Sequence, residues 1–168
     1  METIKEIILL VLCIIILAMG YLAIRLLLQK FKFITESDNK TKVSYGIWLA
    51  VLIITYSVNS TKTIGILVEA FDTILKLNVG NFYFMMFQTS AIFIGLNIVW
   101  FIVWYFFSDL LLMIVLGKRH IIKELENDNI SYFLVRGAIL FGIVLSFLSV
   151  YETLLRVFLP VINVPFYH

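Results

Sequence analysis

Two ionisable residues stand inside apolar sequence, where a charge needs a reason. Asp109 lies about seven residues before the end of one long apolar stretch, and Arg136 about six residues after the start of the next. An unpaired charge in hydrocarbon costs several kcal/mol, so an intramembrane Asp or Arg is a candidate functional residue by default. The matched depths predict that the two meet. With Arg25, one turn from the end of the first apolar stretch, they make a charge cluster of the kind that constricts a path or selects an ion. The simpler reading is a structural ion pair that fixes two helices, with Arg25 snorkelling to the headgroups.

No other constellation offers chemistry. The sequence has no His-Glu-x-x-His, no Gly-x-Ser-x-Gly elbow and no phosphate-binding glycine loop. Its one cysteine, Cys13, and its two histidines, His120 and His168, are too few and too scattered for a metal site. The expectation is a protein without catalytic residues, metal or cofactor.

The elements that must position the charges are membrane helices. Of 168 residues, 62% are hydrophobic and only 14% charged, with a mean hydropathy of +1.03. That composition leaves too little polar surface for a soluble domain. The net charge of +2 is too small to argue for nucleic acid. A bilayer core about 30 Å thick needs roughly 20 apolar residues in a helix. Four stretches qualify: Ile7 to Leu28, Val43 to about Ser60, about Ala91 to Leu116, and Ile130 to Val150. The first is too long for a signal-peptide core and reads as a retained anchor. The only prolines are Pro160 and Pro165, so no proline kinks these spans.

The basic residues give the spans a direction. Arg25, Lys30, Lys32, Lys40 and Lys42 surround the first connection, and Lys118, Arg119, Lys123 and Arg136 the third; together they are nine of the thirteen. The positive-inside rule places both connections in the cytoplasm and both termini outside. A bacterial inner membrane suits these short loops. Thr35 to Asn39 and Glu124 to Asn129 read as solvated turns.

Beyond the second span, Thr61 to Leu77 is amphipathic. Lys62, Glu69, Asp72, Thr73 and Lys76 share one side, and Ile64, Leu67, Val68, Phe71, Ile74 and Leu75 the other. It reads either as a continuation of that span or as a helix in the outer interface. The aromatic run Phe82 to Phe87 follows, and is expected in the aromatic belt or against the amphipathic helix.

The chain also reads as a tandem repeat at an offset of 87 residues, with repeat 1 over about 1–80 and repeat 2 over about 88–168. Val43-Ser44-Tyr45 aligns with Ile130-Ser131-Tyr132, Leu67 with Leu154, and Phe71 with Phe158. Two spans per copy make the repeats parallel, related by an axis along the membrane normal. Tyr151 to Ile162 is then the counterpart of Thr61 to Leu77, with Glu152 and Arg156 one turn apart and able to pair. The fold class is therefore all-α, a single polytopic membrane domain of four spans with amphipathic outer-face segments.

Asn127-Asp128-Asn129-Ile130-Ser131-Tyr132, followed by Gly137 and Gly142, and its first copy Asp38-Asn39-Lys40 to Ser44-Tyr45-Gly46, resemble the YjfL-type bacterial inner-membrane proteins. The resemblance implies two tandem helix pairs and no defined chemistry.

Small residues recur at helical spacing: Gly46 with Ala50, and Ala138 with Gly142. Such pairs permit close helix contact, within one chain or in a homo-oligomer seam. Thr55, Ser57, Asn59 and Ser60, then Gln88 and Asn97, then Ser146 and Ser149 could line a wet path or bond between helices. The leading functional expectation is a small homo-oligomeric channel or pore. The alternatives are a non-conducting accessory subunit or scaffold, binding a partner protein or anionic lipid through its basic loops, and a small-solute transporter.

Overall fold

Without an internal proline, the first three apolar stretches continue as helices well past the bilayer thickness of about 30 Å. The computed structural model describes residues 2–31, 42–76 and 81–160, side chains excepted at 2–4 and 30. Helix α1 spans Glu2–Leu28 and closes in a 3-10 turn, Gln29–Phe31; α2 spans Val43–Lys76, α3 Phe82–Leu116, α4 Ile121–Glu126, α5 Ile130–Ser146 and α6 Leu148–Val157. The described residues contain no strand. Among the described residues, three helices are long and apolar enough to cross a membrane, and α5 and α6, bent by 47°, pass the same test if they count as one.

The amphipathic segment after the second span is the continuation of that span. Nothing between Ser60 and Thr61 breaks the hydrogen-bond ladder, and α2 runs unbroken for 34 residues, about 51 Å at 1.5 Å per residue. Its end at Leu77 lies outside the described residues. Likewise α3 begins nine residues before the expected start near Ala91, taking Phe82 to Phe87 into its first turns. Tyr83, Phe84 and Phe87 face outward and Met86 inward.

The stretch expected as one span from Ile130 to Val150 instead breaks at Phe147. Ser146 Oγ donates to the Gly142 carbonyl at 2.8 Å, a back-bond that bends helices. The Phe147 ring stacks on Trp104, 4.5 Å between centroids, and holds the bend against α3.

Neighbouring segments alternate in direction. Lys5 pairs with Asp72 and Tyr56 Oη donates to the Ile16 carbonyl at 2.9 Å, so α1 and α2 are antiparallel. Asn97 meets Tyr56 while Tyr105 meets Trp48, so α3 reverses again. In contrast, α2 and the α5–α6 segment are parallel: Lys42 reaches Glu126, Lys62 reaches Glu152 and Glu69 reaches Arg156. α2 is the central helix, in contact with α1, α3, α5 and α6.

Two glycines set the approach distances. A Cβ on Gly20 would fall 1.9 Å from the Tyr56 ring, and one on Gly137 would fall 2.8 Å from Val51. Both therefore serve as flat surfaces for α2. Among the described residues, nothing lies within 4 Å of where a Cβ on Gly46 or Gly142 would stand, and Gly46, Ala50, Ala138 and Gly142 are all exposed. The two small-residue pairs therefore make, among the described residues, no close helix–helix approach at their glycines.

Glu124 to Asn129, expected as a solvated turn, is a clasp. Asp128 adopts a left-handed backbone, φ 48°, which Asp tolerates better than most residues. That conformation aims its carboxylate at the start of α2, where Ser44 N donates to Oδ1 at 2.8 Å. This is an N-terminal cap supplied from 84 residues away. Asn129 caps α5 by accepting from Tyr132 N at 3.2 Å, and Lys42 Nζ donates to the Glu126 carbonyl at 2.9 Å.

The contact with Ser44 holds the Asp128 carboxyl below the ordinary range. A carboxyl depressed in the folded state stabilises above its unfolded value, about 3.9, and loses that contribution as pH falls through the folded value. Thermal midpoints measured from pH 7 to pH 3 should show Asp128→Asn less stable than the parent near neutrality, with the gap closing below about pH 4. Curves that stay parallel throughout would rule out a role for the charge.

Candidate functional site

Arg136 owes its position to the periodicity of α5, whose buried face runs Tyr132, Phe133, Arg136, Gly137, Leu140 and Val144. Asn129 fixes the phase of that face at the first turn. On α3 the buried face includes Phe101, Tyr105, Ser108 and Leu112, and Asp109 stands at its edge. Arg136 is therefore fully enclosed, while the Asp109 side chain is 31% exposed.

The expected pair forms, with Arg136 Nη2 and Asp109 Oδ1 2.6 Å apart. It is held by charge more than by direction, because neither the guanidinium nitrogens nor Oδ1 has an aligned hydrogen-bond partner. Trp48 of α2 lies over the guanidinium at 4.2 Å from its ring centroid, and Tyr105 at 5.7 Å. A desolvated cation–π contact contributes about 2 kcal/mol, so the cation is balanced by one carboxylate and two ring faces. Arg25 is exposed on α1 and, among the described residues, pairs with neither.

A second polar layer occupies the other half of the bundle. Asn97 of α3 is its hub: Nδ2 donates to Tyr56 Oη at 3.0 Å and to Ser60 Oγ at 3.1 Å. Tyr151 Oη of α6 donates to Asn97 Oδ1 at 3.3 Å and lies 2.7 Å from Thr63 Oγ1. Beside this network, Thr55 Oγ1 and both amide atoms of Asn59 are buried without a partner among the described residues, as is Trp48 Nε1 toward the other layer. Between the layers stand Leu52, Phe101 and Leu140, all fully buried. Of the other polar residues noted in the sequence, Gln88, Ser146 and Ser149 face outward.

Past this layer the helices are tied by charge. Arg156 Nη1 donates to Glu69 at 2.7 Å and Nη2 to Glu152 at 3.1 Å; Lys62 donates to Glu152 at 2.8 Å. The expected Glu152–Arg156 pair is thus part of a larger network.

At the opposite end, Lys118, Arg119 and Lys123 are exposed around α4, and Arg119 Nη1 approaches Glu124 at 3.4 Å. Lys32, Lys40 and the side chain of Lys30 lie outside the described residues. An open cavity of about 500 Å³ lies beside this cluster, and its lining includes Leu26, Phe31, Phe106, Asp109, Arg119 and Ile122. Among the described residues no group of three metal-ligating side chains converges.

Sequence reasoning found the charge pair but missed Trp48, Tyr56, Tyr105 and Tyr151. The signal was present: a Tyr in the middle of an apolar helix needs a partner for its hydroxyl, and Tyr56 is such a residue. No protein-family model, curated protein or solved structure matches this chain.

Proposed function

We propose that this chain is a non-enzymatic, multi-pass protein of a bacterial inner membrane that conducts small ions as a homo-oligomer. The observation that carries this reading is the buried face of α2. It places Ser44, Trp48, Thr55, Tyr56, Asn59, Ser60 and Thr63 on the core side, a span of twenty residues and about 28 Å. That is close to the full hydrocarbon thickness of about 30 Å, and a core that serves packing alone has no use for so many hydroxyls and amides.

In this reading α1, α2, α3 and the bent α5–α6 segment are the four spans, with the basic connections cytoplasmic and both termini outside. The polar groups face the interior of one chain, so the path runs through each bundle and not through the centre of a ring. Leu52, Phe101 and Leu140 form its apolar constriction, and the Asp109–Arg136 pair guards the cytoplasmic side. The exposed pairs Gly46/Ala50 and Ala138/Gly142 make the seam between copies. Parallel two-helix repeats, the arrangement of the YjfL-type proteins, are supported by the Glu69–Arg156 pair. It joins residues 87 apart, the repeat offset, as expected where equivalent positions meet near a pseudo-twofold axis.

Purified protein in planar bilayers or liposomes tests this. The parent is expected to conduct above protein-free membranes, Leu52→Ser to raise the conductance severalfold, and Asp109→Asn or Arg136→Gln to change the ion selectivity. A silent parent together with a silent, folded Leu52→Ser would overturn conduction.

A second reading, a non-conducting subunit that holds a partner protein or lipid, is favoured by the exposed basic cluster Lys118, Arg119 and Lys123. It predicts that Lys118→Gln with Arg119→Gln weakens partner capture while the charge pair affects stability alone.

A further inference from the structure

The cavity beside Asp109 has a shape and a charge pattern that the conduction reading does not use. Its deepest wall residue on α3 is Tyr105, eleven residues before the helix ends at Leu116, or about 16 Å. Half of a hydrocarbon core of about 30 Å is nearly the same depth. The volume of about 500 Å³ lies within the roughly 300–1,000 Å³ typical of small-ligand sites. The walls are apolar: Leu26, Leu27 and Phe31 at the end of α1, Phe106 on α3, Ile121 and Ile122 on α4.

Charge sits at the mouth. Arg119 and His120 line it where α3 gives way to α4, with Lys118 and Lys123 exposed beside them. Arg119 is loosely engaged, 3.4 Å from Glu124, whose other oxygen already accepts from Asn129. The one acidic wall residue, Asp109, is answered by Arg136 at 2.6 Å. The groove thus offers one leaflet's depth of apolar wall under a net positive rim.

We propose that this groove seats one acyl chain of an anionic phospholipid, with the headgroup phosphate held by Arg119 and His120. Leaflet depth argues for a lipid tail, and rim charge argues for an anionic headgroup over a zwitterionic one. The bound lipid caps the exposed side of Asp109, so the ion pair is screened from the bilayer by a specific molecule.

Native mass spectrometry of the full chain released from detergent tests this with dioleoyl phosphatidylglycerol, dioleoyl phosphatidylcholine and inorganic phosphate as probes. The glycerol lipid, whose phosphate is not neutralised by a cation of its own headgroup, is expected to be retained about fivefold more than the choline lipid, the factor that one basic side chain beside a net anionic headgroup supplies. Arg119→Gln with His120→Gln should erase that preference and leave choline-lipid retention as it was. Ile122→Trp, and independently Leu26→Trp, should fill the groove and lower retention of both lipids. Both positions are exposed, so an unchanged thermal midpoint identifies a folded variant. Lys76→Gln, at the far end of α2, should change nothing. Equal retention of the two lipids by the parent, or Trp variants that retain lipid normally, would overturn the proposal. So would displacement of the glycerol lipid by millimolar phosphate, which would make this a site for a free anion.

Discussion

Asp109→Leu is expected to weaken the bundle by about 3 kcal/mol or more, because it leaves a fully enclosed cation with no counter-charge. Arg136→Met should be milder, about 1–2 kcal/mol. The carboxylate it abandons is 31% exposed and can reach the open groove or take up a proton. The asymmetry follows from burial, since the two residues share one contact and differ in what is left behind. Asp109→Leu combined with Arg136→Met should recover most of the loss, as buried ion pairs replaced by apolar groups of similar volume are often neutral. Reversible unfolding in mixed micelles, read by the fluorescence of the three tryptophans, gives all the values. Equal single losses that simply add in the double variant would show that the pair is not coupled.

The pair was legible in the sequence because depth can be counted from the ends of apolar stretches. Asp109 and Arg136 each lie six or seven residues from the same connection, so their meeting needed only antiparallel neighbours. Counting also found the long helices, the alternation of direction and the amphipathic half of α2. It could not find the Asp128 cap. Asp128 lies in a polar run like any turn, and its partner Ser44 is 84 residues away; only the fold joins them. Nor could it place the bend at Phe147, which depends on a Ser146 back-bond and on Trp104 waiting opposite.

Small-residue spacing leaves open whether a close contact forms within one chain or between copies. Gly46/Ala50 and Ala138/Gly142 have the spacing that permits close approach, but spacing does not say which helix comes close. The contacts within the chain that need a missing side chain fall instead on Gly20 and Gly137. Gly20 stands in no pattern that distinguishes it from filler, and nothing in the run holding Gly137 points to Val51 as its neighbour.

Gly20 therefore carries the sharpest test of the packing. A methyl group there would lie 1.9 Å from the Tyr56 ring, far inside any allowed contact, so the ring must move. It cannot move cheaply. Its hydroxyl donates to the Ile16 carbonyl and accepts from Asn97, and its ring packs T-shaped against Phe101, 5.4 Å between centroids. Gly20→Ala should thus lose about 2 kcal/mol, within the range for overpacking. A helical Gly→Ala change elsewhere gains up to about 1 kcal/mol from backbone entropy. Gly46→Ala and Gly142→Ala, with open space around them, should accordingly be neutral or slightly stabilising in a monomeric preparation. Tyr56→Phe, which removes a hydroxyl and leaves the ring, should cost only about 0.6 kcal/mol, the average for such bonds in membranes. The decisive comparison is Gly20→Ala made in a Tyr56→Ala background. With the ring gone the methyl meets nothing it must displace, so the second change should add almost no further loss, and the cycle should return a coupling close to the whole Gly20→Ala effect. Independent losses would mean that α1 and α2 do not meet through this glycine, and would remove the contact that seats the first helix on the central one.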